Sequence, residues 1–181
     1  IFRLPKFSLS FFRTQIAEGS MLPSGKMPYE VFIPAYRDEI LSDTVMVYGN
    51  VDEVELVLNG KTIRRQTADK GPDSDYIPVP NGGNGKNLHF PPFTFYGVPK
   101  ERGVLKAVGY HQGKKVAEYT VKTPGVPERL DITYFESGKP ATKNDLLIVY
   151  VRMLDKQGVL CPVNGIPVEL SVQGGEIVGP T

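Results

Sequence analysis

The sequence predicts an all-β protein built as two consecutive β-sandwich domains behind a short helical segment. Three observations predict it. Proline (16) and glycine (19) are abundant and spread along the 181 residues, and a proline inside a helix removes a hydrogen bond and adds a clash, so long helices have little room. Apolar residues alternate with polar ones, most clearly Val54, Leu56 and Leu58 against Glu53 and Glu55, the period of a half-buried strand. Turn signals separate such stretches every ~8–12 residues, the spacing of a sandwich or barrel.

Taken in order, the first stretch stands apart. Phe7, Leu9, Phe11, Phe12 and Ile16 are apolar around Arg13 and Gln15, and the helical spacing of Phe12 and Ile16 predicts a short helix over 8–17. A connector with Pro23, Gly25 and Pro28 follows. Strands are then expected over 30–35, 44–49 and 53–58. The last leads into Asn59-Gly60, the strongest hairpin signal because both residues tolerate positive φ, and 61–66 returns. Residues 69–87 are polar and rich in glycine and proline and read as a long loop. Pro91-Pro92 makes 90–95 an edge strand or extended segment. Residues 103–111 and 115–122 form the next pair, turned by Gly113-Lys114. Thr123-Pro124-Gly125-Val126-Pro127 is a proline-bracketed linker, and strands are expected beyond it over 130–134, 145–154 and 166–172. The division is therefore 1–27, tail of an upstream domain and connector; 28–123, first sandwich; 124–181, second sandwich. The chain opens on Ile1 and closes in the middle of a strand-to-turn pattern, so a longer polypeptide is expected.

Charge narrows the function. Twenty-one basic and 20 acidic residues leave a net +1, without the excess of cations that a nucleic-acid binder uses to release counterions. No apolar run reaches the ~20 residues of a spanning helix, so no membrane insertion is expected. The single cysteine, Cys161, forms no internal disulfide and reads as a small buried apolar residue.

Candidates for chemistry are few, and no cofactor and no catalytic residue is expected. His89 and His111 fall on separate predicted strands with no second ligand at metal spacing. Asp69, Asp73 and Asp75 cluster in one loop, a weak calcium candidate that lacks the alternation and closing glutamate of an EF-hand; a solvated acidic loop is the better reading. Glu53 and Glu55 share one strand face, opposite the apolar residues, and are expected to meet Lys61, Arg64 or Arg65 across the hairpin. Among the aromatics, Tyr29, Tyr36 and Tyr76 are candidates for carbohydrate contact, although aromatic residues also dominate ordinary cores.

A resemblance sharpens this picture. Val45-Met46-Val47-Tyr48-Gly49-Asn50, then Glu53-Val54-Glu55-Leu56-Val57-Leu58-Asn59-Gly60-Lys61, resembles a motif that follows the catalytic barrel in family 2 glycoside hydrolases. Pro91-Pro92-Phe93-Thr94-Phe95 and Gly103-Val104-Leu105-Lys106-Ala107-Val108-Gly109-Tyr110 continue it in order. The part after Pro127 is similar to a bacterial Ig-like module, on Val149-Tyr150-Val151, Asp155-Lys156-Gln157-Gly158 and Val168-Glu169-Leu170-Ser171-Val172. Ser10-Phe11-Phe12-Arg13-Thr14-Gln15 looks like the end of the barrel's last helix. The resemblance implies two Ig-like sandwiches, the second lacking its final strands and exposing an edge and an apolar face. It implies a retaining, β-galactosidase-like or β-glucuronidase-like parent whose two catalytic glutamates lie upstream. The upstream barrel of the same polypeptide would then be the partner, carbohydrate a further one, and the compartment periplasmic or extracellular. An independent carbohydrate-binding module and an Ig-like adhesion or spacer domain are the alternatives, since a sandwich by itself hosts many functions.

Overall fold

The computed structural model describes residues 6–35, 42–69, 88–134, 146–163 and 165–178. Among the described residues one helix, α1 (Phe7–Thr14), precedes eleven strands: β1 (Met21–Leu22), β2 (Gly25–Lys26), β3 (Val31–Phe32), β4 (Val45–Gly49), β5 (Glu53–Leu58), β6 (Lys61–Thr67), β7 (Phe93–Phe95), β8 (Val104–His111), β9 (Lys114–Lys122), β10 (Pro127–Tyr134) and β11 (Val149–Asp155). The pairings among these strands are antiparallel.

The first sandwich stacks a three-stranded sheet, ordered β3-β4-β7, on a four-stranded one, ordered β6-β5-β8-β9. Period-two alternation builds its core. Val54, Leu56 and Leu58 of β5 point inward, as do Val45 and Val47 of β4, Phe93 and Phe95 of β7, and Leu105 and Ala107 of β8. Burying each of the valine, leucine and phenylalanine side chains contributes about 1.5–3 kcal/mol. The predicted hairpin is present: Asn59 and Gly60 have φ of 51° and 81°, the paired positive angles of a type I′ turn. The Asn59 side chain also receives the Val104 amide (2.9 Å) and donates to the Arg102 carbonyl (3.0 Å). The turn between β8 and β9 lies one residue earlier than expected, on Gln112 and Gly113, whose φ values are 49° and 75°; Lys114 already pairs with His111.

Prolines shorten one strand. Pro91 and Pro92 offer no N–H, so pairing starts only at Phe93, on the edge beside β4. His89 consequently sits in a bend and not on a strand. The connector after α1 is more ordered than its composition suggests: Met21 pairs with Lys26 and Leu22 with Gly25 around Pro23-Ser24, which delivers Met27 into full burial.

The second half contributes the two-stranded sheet of β10 and β11. The turn that follows β11 is organised by Asp155. This buried carboxylate accepts from the Gly125, Gln157 and Val159 amides at 2.6, 2.9 and 2.7 Å, tying the proline-bracketed linker to the end of β11. Those donors, Gly125 foremost, hold its pKa below the ordinary carboxylate value. The strand expected over 166–172 is not formed; this stretch has no ladder partner among the described residues, and the strand expected over 145–154 begins only at Val149.

Candidate functional site

Among the described residues a dense polar assembly lies where α1 meets the first sandwich. Strand β4 ends at Gly49, and the chain turns through Asn50, which is buried. Three of the hydrogen-bonding positions of its amide are used. Its oxygen accepts the Glu30 amide (2.6 Å), and its nitrogen donates to the carbonyls of Ile16 and Pro28 (3.0 Å each). Asn50 thus joins the second residue beyond the helix, the end of the connector and the residue before β3. The Arg13 guanidinium meets the Glu30 carboxylate, its Nε standing 3.0 Å from both oxygens. Gln15 exchanges two hydrogen bonds with the backbone of Phe90, donating at 3.0 Å and accepting at 3.1 Å. The departure of Gln15 toward Phe90 accompanies the end of the helix at Thr14, short of the expected residue 17.

Apolar contacts complete this seat. Phe11 meets Tyr48 edge to face with ring centres 5.0 Å apart, and Phe7 meets Phe32 at 5.7 Å; such pairs add about 0.5–1.5 kcal/mol beyond their buried area. Burial raises the Tyr48 pKa. Glycine is required beneath the seat: a Cβ on Gly49 would lie 2.9 Å from the Glu30 carbonyl oxygen, and one on Gly109 would lie 2.7 Å from a Val31 methyl. The opposite side of α1 is open, with Phe12 at 63% exposure and Leu9 at 52%. A helix held rigidly by one face therefore presents an aromatic and an aliphatic side chain on the other.

Glu53 and Glu55 do meet the hairpin's return strand. Glu53 pairs with Arg65 at 2.5 Å. Glu55 accepts from the Thr62 hydroxyl at 2.6 Å and from the Tyr110 hydroxyl at 2.7 Å, while Arg65 stacks 3.7 Å over the Tyr110 ring. The Thr62 and Tyr110 bonds hold the Glu55 pKa below the ordinary range, and the bond to Glu55 raises that of Tyr110. A glycosidic general acid needs the opposite, a carboxyl kept protonated by its surroundings. This network is the solvated polar face of a strand pair.

The remaining candidates are scattered. Tyr29 is half-buried and stacks on His111 with centres 4.9 Å apart. His111 Nδ1 lies 3.1 Å from Asp52, whose other oxygen accepts the Gln112 amide at 2.8 Å; that amide, then His111, lowers the Asp52 pKa. Asp69 turns inward: its oxygens accept the Thr94 amide (3.2 Å) and hydroxyl (2.5 Å), closing the sandwich beside β7. Tyr36, Tyr76, Asp73 and Asp75 lie outside the described residues. Among the described residues no three His, Cys, Asp or Glu side chains gather as metal ligands. Cys161 is buried, and burial raises its thiol pKa.

Sequence reasoning missed the central residue of the assembly. In the sequence Asn50 stands only as the last residue of the motif over 45–50, and the partnership of Arg13 with Glu30 carries no local signal. An asparagine immediately after a fully apolar strand, where side-chain bonding to backbone ends a ladder, was the clue available.

Comparison with known proteins agrees with this architecture. A domain of unknown function, DUF4982, matches residues 42–117. A beta-galactosidase of Thermoanaerobacter pseudethanolicus is 30% identical over 191 aligned residues, covering 99% of this chain and 24% of that protein. Beta-galactosidase BoGH2A of Bacteroides ovatus is 32% identical over 133 residues, covering 72% of this chain and 13% of that protein. Among solved structures, a beta-glucuronidase from glycoside hydrolase family 2 superposes with a TM-score of 0.67 at 22% identity, over 88% of this chain and 14% of its own. The chain thus spans a quarter or less of each of these relatives. In sequence the chain is thus similar to a part of these beta-galactosidases, in fold to a part of a family 2 glycoside hydrolase, and its residues 42–117 match DUF4982.

Proposed function

We propose that the chain is a non-catalytic accessory region of a β-galactosidase-like member of this family, packing on and supporting a catalytic domain of the same polypeptide. The observation that carries this reading is the seat of α1. Arg13, Gln15 and Asn50 fix the helix to the sandwich, and Phe12 and Leu9 face outward from it. An apolar face held on a rigid base is a docking surface in need of a partner, and the small share of each relative that this chain covers supports a partner within one polypeptide. The substrate would be a plant or host polysaccharide or oligosaccharide, and the compartment periplasmic or extracellular.

Turnover of nitrophenyl β-galactoside and β-glucuronide by the purified chain tests the non-catalytic part. The expected rate is that of buffer. Hydrolysis that survives repurification and disappears in the Glu55→Gln variant would overturn the reading. Retardation of the chain in a polysaccharide gel, abolished by Tyr29→Ala, would favour an independent carbohydrate-binding module instead.

A further inference from the structure

Residues 123–126 join β9 to β10. Halves of a chain joined by a link swing against one another unless something holds it. Here the sequence itself removes most of the swing. Pro124 and Pro127 have a fixed φ, and the residues before them, Thr123 and Val126, are pushed toward extended backbone. Gly125, with no Cβ to restrict it, keeps its rotational freedom.

Hydrogen bonds then fasten the link on both sides. Toward the first sandwich, the Thr123 amide donates to the Gly103 carbonyl at 2.8 Å, and the Thr123 hydroxyl oxygen accepts the Gly103 amide at 3.1 Å. The Arg102 guanidinium donates to the carbonyl of Pro124, which is buried. Asn59, in the turn between β5 and β6, supports this anchor through its bonds to the Arg102 carbonyl and the Val104 amide. Glycine is needed at 103, where a Cβ would lie 1.9 Å from the Asn59 side-chain oxygen. On the other side, the Gly125 amide donates to Asp155 at 2.6 Å, and Cys161 Sγ stands 3.8 Å from the Gly125 carbonyl oxygen. Because Asp155 also accepts the Gln157 and Val159 amides, the freest residue of the link is pinned to the turn that closes β11.

We infer that the link is a locked joint, clasped to the first sandwich by Arg102 and Thr123 and to β10 and β11 by Asp155, so that the two halves move as one body. Asp155 is its hinge lock, since it holds Gly125. The joint shares no residue with the α1 seat, so its rigidity and the accessory role hold or fail separately.

Residual dipolar couplings of the backbone amides in the full chain test the joint, because they average over hinge motions of microseconds to milliseconds. One alignment tensor should fit β4 to β9 and β10 with β11 together. Arg102→Ala/Thr123→Val, which alters no residue of β10 or β11, should lower the alignment magnitude of β10 and β11 relative to the first sandwich, and Asp155→Ala should do the same. Arg152→Ala breaks the exposed ion pair with Asp131, away from the joint, and should keep a single tensor. Hydrogen-exchange protection of β8 to β11 retained in the double variant places the loss at the joint and not in unfolding. Should Asp155→Ala unfold the turn after β11, the double variant decides. Separate tensors in the unsubstituted chain would overturn the inference, as would a single tensor surviving in the double variant. Two tensors in Arg152→Ala would also overturn it, because the strand pair and not the joint would then set the rigidity.

Discussion

Strands β5 and β10 are both alternating members of antiparallel pairs, yet their apolar residues have different fates. Val54, Leu56 and Leu58 are no more than 3% exposed, whereas Leu130, Ile132 and Tyr134 range from 44 to 61%. The difference does not lie in the strands' own sequences. β5 sits between β6 and β8 and faces β4 and β7 across a filled core, while β10 has a single ladder neighbour among the described residues. Alternation prepares a face for burial, and only a second layer completes it.

That contrast can be broken by substitution. Phe93→Ala in the first core should lower stability by about 3–5 kcal/mol in denaturant unfolding. Leu130→Ala, removing a side chain already half in water, should cost under about 1 kcal/mol. Equal losses would mean that the two halves share one core. Next in size is Asn50→Ala, which leaves the Glu30 amide and two carbonyls without their partner and should cost about 1–3 kcal/mol, with the helical circular dichroism of α1 lost before the sandwich melts.

Asp155→Asn sharpens the comparison from the other side. The native carboxyl has a pKa lowered from 3.8 by the Gly125, Val159 and Gln157 amides. Its contribution is therefore complete above that ordinary value and fades as pH falls through the lower, folded one. The variant should unfold more easily at neutral pH, and its midpoint should converge on the parent's in acid. A constant difference across the acid range would contradict a role for the ionised carboxylate. The smallest effect belongs to Arg65→Ala on the solvated face of β5 and β6, where an exposed ion pair is worth less than about 1 kcal/mol, measured as a near-unchanged melting temperature.

Much of the first sandwich was legible in the sequence because its signals are local. Asn59-Gly60 demanded a type I′ turn, Pro91-Pro92 delayed β7, and the alternation of β5 set its inner face. That Glu53 and Glu55 would meet the return strand followed from the hairpin, but the choice of Arg65 among Lys61, Arg64 and Arg65 did not, since the register sets Arg65 opposite Glu55 and its ion pair runs diagonally to Glu53. The α1 seat was not legible, since its bonds join residues far apart in the chain: Gln15 to Phe90, and Asn50 to Ile16. The stretch 166–172 shows the converse error. Its alternation is as regular as that of β5, but a ladder needs a neighbouring strand, and no sequence window contains one.

The central claim is that α1 and the first sandwich form a single platform locked by Asn50. An isolated helix of eight residues is unstable in water, so its amides report directly on the lock. Hydrogen exchange of the intact chain should show Phe11 through Thr14 protected alongside β4 and β5, and Asn50→Ala should release the helix while those strands stay protected. A helix that exchanges freely in the unsubstituted chain would contradict the account.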